Sequence, residues 1–402
     1  VSVLLLLTKI ALAQDITPFS QSTYAGVSAL SIQPASIADS RYRFDMTLLG
    51  LNTSFNNNYI ALKREAVFKT GNWSDKNFGD NYLVENLDNK DKTGIFHFGA
   101  VLPSFMINIS ENSAIAFSSR IRSITNVDNI TQDFARLVAE DFDYEPLLYR
   151  TLTNANFSFQ TNTWSEIGVS FATILLNKQK HFLKGGATIK YLQGIASGYA
   201  FIRELNYRFD GSDTISLFQS KINYGLSSNF EEDGIKPFNV VSDPGVGFDI
   251  GFVYEYRPDI DNFKYQKNGR EDLLRTDKEK YKLRVGLSLL DFGRINYKKG
   301  YYSQDFIADV RDWNVGDIQI NSVQDLNDTL RNRFHFDDNA EQTFLMGLPT
   351  ALSLQIDYQV IDGFYLNFSP YLALRKGTNM TTKTHYFTNY SFTPRYDLKW
   401  FG

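Results

Sequence analysis

Hydrophobic and polar side chains alternate residue by residue along much of this chain, and the cleanest run is 247–256. Phe248, Ile250, Phe252, Tyr254 and Tyr256 share one parity; Gly247, Asp249, Gly251, Val253 and Glu255 share the other. Successive strand side chains point to opposite faces, so one face is aromatic and apolar while the other is small or charged. About ten such residues, tilted, cross the apolar slab of a bilayer. The pattern predicts a strand that spans a membrane.

The same alternation recurs. Tyr42, Phe44, Met46 and Leu48 oppose Arg43, Asp45 and Thr47. Two strands are expected at 95–102 and 105–109, divided by Pro103, and another at 114–124. Further strands are expected at 154–160, 166–176 and 186–193, with two weaker ones between 199 and 227. At 281–290, Tyr281, Leu283, Val285, Leu287 and Leu289 oppose Lys282, Arg284, Gly286 and Ser288. At 352–359, Leu354 and Ile356 oppose Gln355 and Asp357, and Asp362-Gly363 turns this strand into one at 364–372. The last strands are expected at 385–391 and 395–401. Residues 52–93 read mainly as loop, with a strand conceivable at 59–68, and 257–280 as a charged loop. Short helices are expected within 131–145, where Phe134, Leu137, Val138 and Phe142 share a face, and at 322–332.

A soluble β-sandwich also alternates. Three features favour a barrel in lipid: charges in mid-strand (Arg284, Asp249, Asp357), aromatics near strand ends, and short turns alternating with long polar excursions. Lipid offers the backbone no hydrogen bonds, so a closed sheet is the only all-strand solution. Composition fits this reading. Aromatics make up 15% of the 402 residues, with 33 Phe and 23 Tyr, yet mean hydropathy is −0.29. A polar lumen and polar loops dilute the average, and no apolar run reaches the ~18 residues of a membrane helix. The net charge of −4 offers no basic surface for nucleic acid, and the absence of cysteine removes disulfides and thiol chemistry.

Residues 1–13 read as the end of a secretory signal, with Ala11-x-Ala13 as the cleavage site, so export is expected. Residues 14–41 have no clear period and read as a plug segment housed in a barrel mouth. Residues 42–402 form the outer-membrane β-barrel. Trp400-Phe401-Gly402 reads as mid-strand, so the barrel is expected to continue past the end of this sequence.

Short stretches carry a family resemblance. Gly-Val-Gly-Phe-Asp-Ile-Gly-Phe-Val-Tyr at 245–254 resembles a strand of outer-membrane barrels such as the FadL-like transporters and the type IX secretion protein PorV. Residues 183–194 resemble another such strand. Residues 28–38 are similar to their N-terminal Asn-Pro-Ala segment, with Gln33 in place of Asn before Pro34 and Ala35. The order of these pieces resembles the uncharacterised barrel family of Bacteroidota-type outer membranes, some of whose members carry a C-terminal OmpA-like domain. The resemblance implies a transmembrane antiparallel barrel of about 14 strands with the N-terminal segment plugging the lumen.

Catalytic constellations are not found. The four histidines, at 97, 181, 335 and 385, lack metal-ligand spacing, and no Ser-His pairing can be assembled. Gly245-x-Gly247-x-x-x-Gly251 is not a dinucleotide fingerprint and reads as relief of crowding in a curved strand. Asp259-x-Asp261-Asn262 lacks a full calcium-loop pattern, and the sequon Asn72-Trp73-Ser74 carries no meaning in a bacterial setting. No enzyme, metal or cofactor is expected. The lumen-facing polar candidates are Arg43, Asp45, Lys190, Asp249, Glu255, Arg284 and Asp357, read as mutual neutralisation inside a plugged barrel; Gln33, Pro34 and Ala35 are the plug candidates. The functional expectation is a structural, assembly or envelope-anchoring role, with outer-membrane lipid, other envelope proteins or peptidoglycan as partners. The alternative is a transporter of hydrophobic small molecules.

Overall fold

The structure is a computed structural model and describes residues 24–68, 78–231, 234–236, 240–267, 270–275, 278–316, 318, 322–334, 336, 342–377 and 380–396. The expected signal segment 1–13, residues 14–23 of the plug segment, Asn72-Trp73-Ser74, His335 and everything beyond Tyr396 lie outside the described residues.

Fourteen strands form one antiparallel sheet. They are β1 (Phe44–Thr47), β2 (Gly50–Asn57), β3 (Lys92–Asn108), β4 (Ser113–Ile130), β5 (Leu152–Lys178), β6 (His181–Phe209) and β7 (Thr214–Leu226). The chain continues with β8 (Ser242–Tyr256), β9 (Leu283–Lys298), β10 (Gln304–Asn314), β11 (Thr343–Gly347), β12 (Ala351–Ile361), β13 (Phe364–Ala373) and β14 (Asn389–Tyr396). Neighbours run β1, β3, β4, β5, β6, β8, β9, β12, β13, β14. β1 and β2 lie end to end along β3, and β12 and β11 end to end along β9. No pairing among the described residues joins β1 or β2 to β14. The wall nevertheless curls into a tube. Arg122 on β4 bonds Asp291 on β9 at 2.7 Å, although β5, β6 and β8 stand between them in the sheet.

β5 and β6 hold 27 and 29 residues, roughly three times what a membrane crossing needs. Their two halves differ. Near the turn at 179–180, the convex face of β5 carries Ile167, Val169, Phe171 and Leu175, all exposed, and the concave face Ser170, Gly168 and Glu166. Farther along, the contrast fades. Thr161 and Thr163 face outward beside Phe159, bonded to Thr125 and Ser123 at 2.9 and 2.8 Å, while Trp164 is buried inside with Asn162 and Gln160. On β6 the switch falls between Tyr191, exposed, and Leu192, buried; beyond it Tyr199, Phe201, Leu205 and Tyr207 all point inward.

At that level β6 changes partner. Its first half pairs with β8, from Tyr256↔His181 to Gly245↔Leu192, and its second with β7, from Gly198↔Leu226 to Phe209↔Ile215. β7 and β10 thus leave the tube as an outer lobe. The lobe has its own core, in which Tyr207, Phe209, Leu217, Phe306, Phe334 and Phe336 pack under the helix Gln132–Ala139.

Several expected boundaries are corrected. Pro103 does not divide β3; the register slips between Leu102 and Phe105 and the strand continues past it. The expected strands 154–160 and 166–176 are one element, β5. Residues 52–93 hold β2 and a small hairpin, Ile60–Leu62 with Leu83–Glu85, and 257–280 hold the hairpin Lys264–Lys267 with Arg270–Leu274. The excursion after 300 contains β10 as well as the expected helix, Val323–Arg333. Residues 385–388 are not strand: β14 starts at Asn389, and the preceding segment folds into the tube.

Candidate functional site

The candidate site is the filled interior, and the first filler is the N-terminal segment. Two short 3-10 turns, Gly26–Ser31 and Pro34–Ile37, set it against the concave face. A row of small residues on adjacent strands, Gly186 on β6, Gly251 on β8, Ser288 on β9 and Ser353 on β12, makes the seat; each is the register partner of the next. The glycines are needed for space. A β-carbon on Gly251 would stand 1.9 Å from Gln33 Oε1, and one on Gly186 would stand 2.7 Å from the backbone of Pro34 and Ala35. Gln33, 1% exposed, donates from Nε2 to the Phe252 carbonyl and to Gln355 Oε1, both at 3.2 Å. The Ile32 carbonyl accepts from Ser288 Oγ at 2.5 Å and from Gln355 Nε2 at 3.3 Å. The Gln33 amide is bonded at both ends, its Oε1 accepting from the Ala35 amide at 3.3 Å; left bare when buried, such a group would cost about 1–3 kcal/mol.

Charges then lock the end of the segment. Asp39 meets Arg257 Nη2 at 2.7 Å and Lys280 Nζ at 3.1 Å. Arg257 also reaches Glu255 at 2.6 Å and lies 3.5 Å above the Phe182 ring. Arg284 Nη2 donates to Ser36 Oγ at 2.9 Å, and Lys184 Nζ to the Ala38 carbonyl at 2.7 Å. Burial works against the Asp39 carboxylate, but Lys280, Arg257 and Lys184 outweigh it and hold its pKa down at about 2. At the other end, Asp45 Oδ2 accepts from the Val27 amide at 2.8 Å.

Above the seat lies a buried cluster of three cations and three carboxylates. Arg122 grips Asp291 with two parallel bonds of 2.8 and 2.7 Å and touches Glu166 at 3.3 Å. Arg120 Nε stands 2.7 Å from Glu166, whose other oxygen accepts from Trp164 Nε1 at 3.1 Å. Lys190 lies 2.7 Å from both Asp249 and Asp291. Three positive and three negative groups cancel, which is the condition for keeping ions out of water.

The second filler is the connection from β13 to β14. It crosses the tube and hydrogen-bonds its far wall. Asn126 on β4 exchanges bonds with the His385 backbone at 2.9 and 3.0 Å. Gln160 on β5 accepts from the Lys383 amide at 2.7 Å. His385 Nε2 stands 2.9 Å from Asp128, and Arg122 donates to Tyr386 OH at 2.8 Å. His97 meets the Tyr386 ring edge-on and His181 pairs with Tyr254 OH at 2.7 Å, so each described histidine has a separate neighbour.

Of the sequence candidates, Lys190 and Asp249 sit in the central cluster, Glu255 and Arg284 in the lock on the plug, and Asp45 against Val27. Asp357 pairs with Arg395 at 2.8 Å and accepts from Tyr281 OH at 2.6 Å. Arg43 is exposed and brought to none of these groups. Gln33, Pro34 and Ala35 are buried in the seat. Sequence reasoning missed Arg120, Arg122, Glu166 and Asp291. Asp291 shares its parity with outward Leu287 and Leu289; a bulge opposite Asp249, with Asp291 at φ +54°, turns it inward. The signal was present: Leu289 and Phe292, three apart, both face outward, so the alternation slips between them.

The fold and its interior define a curled antiparallel wall sealed by segments of its own chain. The protein belongs to DUF5723, a family of unknown function, which matches residues 34–401. No curated protein sequence matches it. Among solved structures, the Ralstonia pickettii toluene transporter TbuX aligns over 83% of this chain and 74% of its own, at 8% identity and a TM-score of 0.22. The ferric-catecholate import receptor Fiu from E. coli K12, in its closed form, aligns over 82% of this chain and 62% of its own, at 12% identity and a TM-score of 0.18. Superposition at these scores is too loose to transfer a ligand.

Proposed function

We propose that this protein is an outer-membrane β-barrel with a structural or assembly role, holding its outer lobe at the cell surface for other envelope proteins and carrying out no catalysis. The exposed apolar band supports the membrane part. From Ile167 to Leu175 it measures roughly 27 Å along the strand, or about 20 Å once tilted, near the ~25 Å band of such barrels. The outward hydroxyls of Thr161 and Thr163 on β5, and the buried aromatics of β6 beyond Leu192, support a hydrocarbon boundary near Ser165 and Tyr191.

The observation that carries the non-transport reading is the double filling of the interior. The plug backbone is pressed on Gly186 and Gly251, and the β13–β14 connection is bonded to β4 and β5. Passage of an apolar solute needs a continuous apolar lining, whereas the lock on the plug and the central cluster present ionised groups. In proteoliposomes the protein is expected to give no osmotic swelling with small sugars and no uptake of oleate. Cross-linking in intact membranes is expected to trap defined partners through lobe residues such as Tyr301. Oleate uptake, or an apolar compound that travels with the purified protein, would overturn this in favour of a hydrophobic transporter.

A further inference from the structure

Beside the β13–β14 connection a cavity of 270 Å³ opens, lined by Thr93, Asp128, Arg375, Lys376, His385 and Thr388 among others. Its charge is out of balance. Among the described residues Arg375 makes one hydrogen bond, from Nε to Thr350 Oγ1 at 3.1 Å, and neither terminal nitrogen has an acceptor. Lys383 is 7% exposed, and its ammonium has no hydrogen-bond or ion-pair partner among the described residues. Both residues flank Gly347, where an added β-carbon would meet Arg375 Nη1 and stand 3.3 Å from Lys383 Cβ; Arg375 and Lys376 line the cavity and Lys383 lies behind it. The one carboxylate among the described lining residues, Asp128, stands 2.9 Å from His385 Nε2 and offsets Lys383 only in part. Several buried cations elsewhere in the tube meet a carboxylate, Arg122 at Asp291, Lys190 at Asp249, Lys92 at Asp88, while Lys184 bonds the Ala38 carbonyl. Burial, and for Lys383 also the neighbouring Arg375, push both cations below their ordinary pKa, the mark of positive charge short of an anion.

We propose that this cavity is a binding site for an oxyanion, a carboxylate or phosphate group held by the Arg375 guanidinium, with Lys383 and Lys376 adding positive field. A guanidinium fork matches two oxygens of such a group, and the charge-assisted bonds are the strong ones. The site does not depend on the membrane role argued above. The bearer is either a free solute or the headgroup of a phospholipid, and both offer the same oxygens.

The test is calorimetry on the detergent-purified full chain with inorganic phosphate and with acetate, against chloride at matched ionic strength. One saturable site is expected for phosphate or acetate, with a matching rise in melting temperature. Arg375→Met should weaken it about tenfold or more, Arg375→Lys less, and Arg311→Met, on the outer lobe, not at all. Short-chain phosphatidic acid that displaces phosphate assigns the site to a headgroup; failure to displace it assigns a free solute. Absence of saturable binding by both anions, or unchanged binding by an Arg375→Met protein that melts like the parent, would overturn the site.

Discussion

Lys190 shows how little freedom a buried ion has. Its ammonium sits between Asp249 and Asp291 at 2.7 Å from each, and Asp291 is shared with Arg122. Removing one member leaves the others charged in a dry place, so Lys190→Met is expected to cost roughly 3–5 kcal/mol, read as an earlier urea midpoint in detergent. Asp39 makes a pH-dependent contribution. Its folded pKa is depressed from 3.8 to about 2, so the stability it lends is fully present above 3.8 and is lost as pH falls through 2. Pepsin is therefore expected to reach the N-terminal segment readily at pH 2 and poorly at pH 4, and Asp39→Asn to remove that difference. Parity alone made Lys190 and Asp249 legible in the sequence. It missed Asp291 because one bulged residue reverses every side chain after it.

The strands illustrate what else alternation can and cannot tell. On β8 and in the first half of β9, exposed apolar and inward residues differ so sharply that the period of two is plain. β4 and the outer half of β5 are harder to read, because each face is mixed: Ser123, Thr125, Thr161 and Thr163 are outward beside Val127 and Phe159, and Ile124 and Trp164 inward beside Asn126 and Asn162. A reader who keeps the apolar face outward along the whole strand assigns these backwards and overlooks Arg120, Arg122 and Glu166. Local chemistry was more dependable at helix ends. Ser322 Oγ accepts from the Asp325 amide at 3.0 Å, and Asp325 Oδ2 from the Ser322 amide at 3.1 Å. Ser322→Ala is expected to cost about 1 kcal/mol, seen as faster hydrogen exchange over Val323–Arg333 with the tube unaffected. The plug is an element held by shape as much as by bonds. Gly251→Leu puts a side chain where Gln33 lies, and should free the segment for proteolysis while the strands keep their protection.

For the molecule as a whole, the proposed membrane role makes the solvent outside decide which face is apolar, with that solvent changing partway up the wall. Val169 is 62% exposed at mid-band. Val169→Arg is expected to cost roughly 2–4 kcal/mol in liposomes, and Thr161→Arg, above the band, about 1 or less; equal costs would place both residues in the same medium. β5 and β6 pass through that boundary unbroken and end in the core of the outer lobe. Lobe and tube thus share one spar. A tug at the tip loads the ladder bonds of both strands side by side, in shear, and is felt by the whole cylinder at once.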